Sequence, residues 1–195
     1  MNSNQQLSDY IFYYPEAMDS KTCNDIIKHF DIGAKWKQST FSTTSSNTGT
    51  SKVSMEEYWI GSPLPYYKDI EKTFKYCVDD YTYFHKQIKS TEYTDFRINR
   101  YGQGGFMKSH IDNIHHSHGQ KQGYPHLTSL IFLNDDYEGG DFVLCGDKYI
   151  EKVQGSAIVF PSNFMFPHEV KEVKKGKRYS ICLLYTSDAA DDEER

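Results

Sequence analysis

Residues 105–120 read GFMKSHIDNIHHSHGQ, a run that sets His110, His115, His116 and His118 around a single carboxylate, Asp112. Histidine is the commonest metal ligand among side chains. The reading turns on the first half of the run. Phe106–Ile111 reads as a short strand, and a strand's period of two puts His110 and Asp112 on one face, where one ion can touch both. Gly119, Gly123 and Pro125 place the second half of the run in a loop. His115, His116 and His118, and with them His126, therefore read as solvated or substrate-facing groups outside the ligand set.

A third ligand must come from a distant strand. His168 qualifies, because it follows the apolar segment Ala157–Phe160 and a short turn and precedes Glu169–Val173; Arg178 stands ten residues further on. Two histidines and one carboxylate leave three positions open on an ion, the arrangement of non-haem Fe(II) oxygenases. A lone His-x-Asp arises often by chance. His-x-Asp, a remote His and then an Arg, all on expected strands, is far more specific.

The surrounding sequence supports a β architecture. From about Thr94 the chain breaks into short β-prone runs at Asp95–Tyr101, Phe106–Ile111, Leu127–Leu133, Phe142–Cys145, Tyr149–Val153, Ala157–Phe160, Glu169–Val173 and Arg178–Tyr185. Gly139-Gly140, Gly146-Asp147 and Gly155-Ser156 punctuate them, as in an antiparallel double-sheet barrel or jelly roll. The glycine pairs lack the strand-to-helix setting of a phosphate loop. Asp135, Asp136 and Glu138 read as a turn before Gly139 rather than a hard-cation site.

The N-terminal half differs. Tyr10–Tyr14 reads as an opening strand, and Asp19 and Ser20 are caps for a helix over about Lys21–Phe30. Ten of the thirteen residues from Ser39 to Ser51 are Ser or Thr, which predicts a loop. Ser62-Pro63 suits the start of a longer helix. Its apolar residues Tyr67, Ile70, Phe74, Cys77, Tyr81, Phe84 and Ile88 recur at threes and fours, one buried face. The expected fold is α+β and mainly β, a double-stranded β-helix (jelly roll) core with N-terminal helices packed on one sheet. One domain is expected over 1–185, with its core at about 94–185.

A chain of 195 residues with 16 Tyr and 12 Phe can bury a sizeable core. Cys23, Cys77, Cys145 and Cys182 are far apart, which argues against a disulfide framework or a cysteine zinc site and for a reducing compartment. No run approaches a membrane span, and MNSNQQLSDY lacks the regions of a signal peptide, so a cytoplasmic location is expected. Most of the net charge of -5 lies in the C-terminal tail, which leaves a nearly neutral body and counts against nucleic acid as a partner. That tail, CLLYTSDAADDEER from Cys182, resembles the translation of a transposase adapter from a sequencing library. On that reading the natural sequence ends near Ile181 and the source is an environmental assembly, microbial or viral. The other reading makes 186–195 a disordered acidic tail.

Three stretches together resemble the 2-oxoglutarate and Fe(II)-dependent dioxygenases, in their prolyl 4-hydroxylase-like branch. They are RYGQGGFMKSHIDN with its tyrosine, glycines and H-x-D, HLTSLIFLNDDYEGGDF with its threonine-bearing strand, L-N pair and glycine pair, and GSAIVFPSNFMFPHEVKEVKKGKRYSI with the distal histidine and basic residue. The resemblance covers Arg100–Tyr185. It implies Fe(II) on His110, Asp112 and His168, and 2-oxoglutarate chelating that iron with its distal carboxylate on Arg178. Ser180, Tyr101 and Thr128 are implied as further cosubstrate contacts. O2 is the oxidant, succinate and CO2 the coproducts, and L-ascorbate a reductant. No catalytic side chain beyond the metal ligands is implied.

The implied reaction is hydroxylation of a protein or peptide side chain, above all proline. The alternatives are the same chemistry on a small molecule or nucleobase, or a jelly-roll binding module without turnover. Tyr58, Trp59, His115 and His116 are the expected substrate contacts, with the Ser/Thr-rich loop as a lid. Two departures stand out. Arg178 stands where the prolyl branch often has lysine, and Met107 where it often has tyrosine. The pattern sets no oligomeric state.

Overall fold

The structure, a computed structural model, describes residues 6–39, 52–88, 92–112 and 125–186. A 3-10 turn (Leu7–Tyr10) leads into β1 (Phe12–Tyr14) and helix α1 (Ser20–Gly33). Three short strands follow, β2 (Lys37–Gln38), β3 (Val53–Ser54) and β4 (Glu56–Ile60), ahead of α2 (Tyr67–Phe84). Next come β5 (Glu92–Tyr93), β6 (Phe96–Tyr101), β7 (Phe106–His110) and β8 (Pro125–Phe132). Short pieces β9 (Glu138–Gly139), β10 (Phe142–Leu144) and β11 (Lys148–Tyr149) precede β12 (Ala157–Pro161). The described chain closes with β13 (His168–Val170), β14 (Val173–Lys175) and β15 (Arg178–Thr186).

Asp19 caps α1 by accepting the backbone N–H of Thr22 at 2.9 Å, and Cys23, Ile26 and Phe30 form its buried stripe. The helix runs past the expected end at Phe30 because Ala34 still donates to the Phe30 carbonyl. The second helix starts later than Ser62-Pro63 predicts. Leu64 bonds back to Gly61 and Tyr67 to Leu64, two successive turns, and Tyr66 sits at φ 64, so regular helix begins only at Tyr67. Phe84 leaves the expected stripe: it is 63% exposed, and Ile88 lies beyond the helix.

An eight-stranded antiparallel sheet runs β1-β12-β8-β15-β6-β4-β2, with β5 also on β15. A five-stranded sheet runs β11-β10-β13-β7-β3, and β14 pairs β9 in a separate ribbon. The expected strand Glu169–Val173 is thus split, because its two halves pair with different partners, β13 with β7 and β10 and β14 with β9. Of the expected strand Tyr149–Val153 only Tyr149 is in β11, and 150–153 form no strand.

Strand alternation sorts the large sheet into two faces. Phe96, Ile98, Ile131 and Ile181 share one core cluster with Cys23, Ile26, Phe30, Ile70, Phe74 and Tyr81 of the helices. On the other face Tyr101, Leu130, Phe132, Phe160 and Cys182 join Met107, Phe142 and Val170 of the small sheet in a second cluster. This inter-sheet face carries the site. Strand β15 is buried along its whole length, so residues 182–186 lie inside the large sheet, between β6, β8 and β5. Among the described residues no helix is long and apolar enough to cross a membrane.

Candidate functional site

His110 ends β7, His168 opens β13, and antiparallel pairing sets them directly opposite each other, with ring centroids 4.3 Å apart. Asp112 corrects the strand-period expectation. It lies two residues past β7, at a bend outside the strand, with its carboxylate beside both imidazoles. Oδ1 lies 3.6 Å from His110 Nε2 and Oδ2 lies 3.3 Å from His168 Nε2. One ligand atom from each residue falls within 4.8 Å of the others, and among the described residues this is the one such cluster able to hold a metal ion.

Local backbone geometry aims both rings. Nδ1 of His110 donates to the Lys108 carbonyl at 2.9 Å, and Nδ1 of His168 to the Phe166 carbonyl at 3.2 Å. A carbonyl only accepts, so the proton sits on Nδ1 and the Nε2 lone pair is directed at the cluster. Burial works against charge on Asp112, yet His168, then His110, and the hydroxyl of Thr128 hold its carboxyl well below the usual carboxylate range. Burial, then the neighbouring His168, pushes the pKa of His110 down to about 4. A buried carboxylate facing imidazoles with inward lone pairs is a donor set for a first-row divalent cation, Fe(II) included.

The expected role of Thr128 changes. Its hydroxyl donates to Asp112 Oδ2 at 2.7 Å and contacts Ser162 Oγ at 2.8 Å, so it holds the carboxylate rather than standing ready for a second ligand. Ser162, which the sequence reading missed, follows β12, so one short loop links this brace to His168.

Arg178 is 1% exposed, at the far end of the same face. Its guanidinium lies 5.0 Å from the Tyr101 ring and 5.6 Å from the Phe132 ring, and Nη1 donates to Ser180 Oγ at 2.9 Å. Nε and Nη2 are buried with no hydrogen-bond partner. Such unpaired buried donors are costly, and a carboxylate is the group whose geometry matches the planar fork. Burial raises the pKa of the Tyr101 phenol to about 12 against the pull of Arg178. That hydroxyl meets Met107 Sδ at 3.8 Å, a weak partner. Phe132 and Tyr137 are further neighbours of Arg178 that sequence reasoning missed. Burial raises the Tyr137 pKa, and the guanidinium pulls it back.

The expected substrate residues divide. Adjacent residues of a strand face opposite ways, so Tyr58 packs toward the helices, its ring 5.7 Å from Phe30, and is not brought to the site. Trp59 points to the inter-sheet side, where Arg97 lies 5.7 Å from its ring. His115, His116, His118 and nearly all of the Ser/Thr-rich loop lie outside the described residues. His126 is exposed on β8.

A model of the 2OG-Fe(II) oxygenase superfamily matches residues 96–186, the span that holds all three ligand candidates and Arg178. A PKHD-type hydroxylase of Thermosynechococcus vestitus is 39% identical over 103 residues, covering 50% of this chain and 45% of that protein. Human prolyl 3-hydroxylase 2 is 37% identical over 67 residues, 31% of this chain and 10% of that one. The chain thus spans less than half the length of the relatives it matches. Among solved structures, a Trichoplax adhaerens prolyl hydroxylase in complex with a hypoxia inducible factor peptide fragment superposes with a TM-score of 0.72 at 19% identity, covering 96% of this chain and 88% of that one. The viral collagen prolyl hydroxylase of Paramecium Bursaria Chlorella virus-1 gives 0.69 at 14% identity, covering 92% and 97%. At such identities the likeness is one of fold alone, a jelly roll.

Proposed function

Because the chain belongs, through residues 96–186, to the 2OG-Fe(II) oxygenase superfamily of dioxygenases, we propose that it hydroxylates a protein or peptide side chain, with proline the residue favoured. Fe(II), O2 and 2-oxoglutarate supply the oxidising chemistry, with succinate and CO2 as coproducts and ascorbate as an accessory reductant. The observation that carries this reading is the pairing of two sites on one inter-sheet face. A His–Asp–His cluster stands at one end, and a buried arginine with two unpaired donors at the other.

The residues then divide the work. His110, Asp112 and His168 would hold Fe(II), which would supply the oxygen-activating chemistry with the cosubstrate. Thr128 and Ser162 fix the carboxylate through a hydroxyl chain. Arg178 takes the distal carboxylate of 2-oxoglutarate on Nε and Nη2, with Ser180 turning the guanidinium and the faces of Tyr101 and Phe132 supporting it. The apolar walls of Leu130, Phe132, Phe142 and Phe160 exclude water from the reaction. No side chain here needs to act as acid, base or nucleophile.

Peptide substrate is favoured by the relatives, which include a prolyl hydroxylase solved with a peptide. The test is a succinate-release screen with Fe(II), 2-oxoglutarate and ascorbate over proline-containing peptides and free amino acids, read by mass spectrometry. Release coupled to a gain of one oxygen atom on a prolyl peptide supports the reading. Coupled oxygenation confined to free amino acids would move the substrate class to small molecules.

A further inference from the structure

Strand β6 carries two arginines on opposite faces, and their surroundings differ. Arg100, on the helix side, is fully engaged: Nε and Nη2 donate to Glu56 at 2.9 and 2.8 Å, Nη1 to Asp31 at 2.7 Å, and the Trp36 ring lies at 4.3 Å. That is how a structural arginine looks in this fold. Arg97, on the inter-sheet side, has the Trp59 ring at 5.7 Å and Glu57 at 3.8 Å, beyond hydrogen-bond reach. Its Nε is buried without a hydrogen-bond partner, the same condition found at Arg178.

Register fixes where Arg97 lies. On β6 the inward row is Arg97, Asn99 and Tyr101, and these pair with Cys182, Ser180 and Arg178 of β15. Arg97 therefore stands at the opposite end of the row from the arginine assigned to the cosubstrate. Thr128, which touches Asp112, pairs with Leu184, so the row runs from Arg178 toward the ligand cluster. Electrostatics agrees: burial opposes charge on Arg97, while Cys182, Glu57 and Asp112 sustain it, and Arg97 is among the charges that depress His110. Between the two arginines, Asn99 Oδ1 is also buried with no partner. The Arg97 side chain keeps 15% of its surface exposed, so an incoming group can reach it.

We infer that Arg97 is the substrate-recognition residue of this site, and that it takes a carboxylate carried by the substrate close to the carbon to be oxidised. The inference rests on the oxygenase reading and sharpens it, from any side chain to a substrate with an acidic group at the target. A planar guanidinium whose Nε is buried and unpaired offers a carboxylate a charge-assisted bond along one edge of its fork. A neutral amide in the same place leaves the charge uncompensated, so discrimination is steep. The carboxylate can belong to an acidic residue of a peptide or to a chain terminus, and the chemistry at Arg97 is the same.

The test uses the Trp36→Phe protein, in which Trp59 is the sole tryptophan, loaded anaerobically with Fe(II) and 2-oxoglutarate so that Arg178 is occupied. Trp59 emission is followed during titration with N-acetylglycine and, separately, with N-acetylglycinamide, which has the same shape without the charge. The expected result is a saturable response at least tenfold tighter for the acid, lost in Arg97→Gln and partly kept in Arg97→Lys. A blocked aspartyl amide in place of N-acetylglycine tells a side-chain carboxylate from a terminal one, and tight binding of either upholds the inference. Equal affinity for acid and amide, an acid preference undiminished in Arg97→Gln, or no saturable response would overturn it. The visible charge-transfer band of the same samples reports separately on the oxygenase reading. A band without carboxylate preference sinks the inference alone, and its absence takes both down.

Discussion

Thr128 donates its hydroxyl proton to Oδ2 of Asp112 at 2.7 Å, with both side chains buried. Since that proton is spent on the carboxylate, the 2.8 Å contact with Ser162 has Ser162 as donor, and the hydrogen bonds run one way, Ser162 to Thr128 to Asp112. Removing such an outer partner of a ligating carboxylate lowers metal affinity by about 10–100-fold. Thr128→Val, which keeps the shape, should weaken Co(II) binding by that factor, while Thr128→Ser should restore it. Isothermal titration with Co(II) reads this without turnover, and an unchanged affinity in Thr128→Val would remove the bracing role.

The triad itself is tested by His110→Ala and His168→Ala. Each should abolish succinate release while leaving the far-ultraviolet circular dichroism spectrum unchanged. The two rings lie at the ends of strands, and neither contributes to the helix-side core. Undiminished release in either variant contradicts the assignment.

Arg178→Ala should act on the 2-oxoglutarate requirement rather than on substrate affinity. Leaving a well-desolvated carboxylate unpaired costs on the order of 3–5 kcal/mol, which is roughly a hundredfold or more in affinity. Arg178→Lys should recover only part, because an ammonium cannot reproduce the fork. The KM for 2-oxoglutarate measures both, and an Arg178→Ala value equal to wild type would strike the residue from the site.

Asp31 of α1 ties the helix layer to the large sheet. It accepts from Tyr179 at 2.6 Å and Arg100 at 2.7 Å, and pairs with Lys177 at 3.2 Å. Burial opposes its charge, but these three donors hold its pKa below the ordinary value of 3.8. A carboxyl with a lowered folded pKa stabilises the fold above its unfolded pKa, and the contribution is lost as pH falls through the folded value. Asp31→Asn should therefore melt lower than wild type by a few degrees at pH 7. The gap should close only below the ordinary aspartate range of about 3.9. Melting curves at pH 3, 5 and 7 check it, and a gap that is constant with pH would mean that the charge is not the cause.

Residue chemistry and spacing picked out in advance the three residues that the fold brings together as a candidate metal site. His110, Asp112, His168 and Arg178 are residue types whose combination has few other uses, and they occupy one inter-sheet face. What remained illegible depended on register and on bends. Asp112 lies two residues past the end of β7, outside any strand, so strand periodicity alone does not account for its place. Tyr58 and Trp59 are sequence neighbours, and only the pairing of β4 with β6 decides which one faces inward. Arg97 and Arg100 look equivalent in FRINRY, and it takes the β6–β15 register to tell a satisfied arginine from an unsatisfied one. Two-residue strands such as β2, β3, β9 and β11 carry too little pattern to be read, and exist because a neighbouring strand offers an edge.

Anaerobic absorption spectroscopy shows whether one inter-sheet face holds Fe(II) at one end and 2-oxoglutarate stretched to Arg178 at the other. Fe(II) and 2-oxoglutarate added together should give a weak visible charge-transfer band that saturates at one iron per chain. The same addition to His168→Ala should give none, and Arg178→Ala should need far more 2-oxoglutarate to reach it. A wild-type protein that shows no band, or a band undiminished in His168→Ala, would contradict the account.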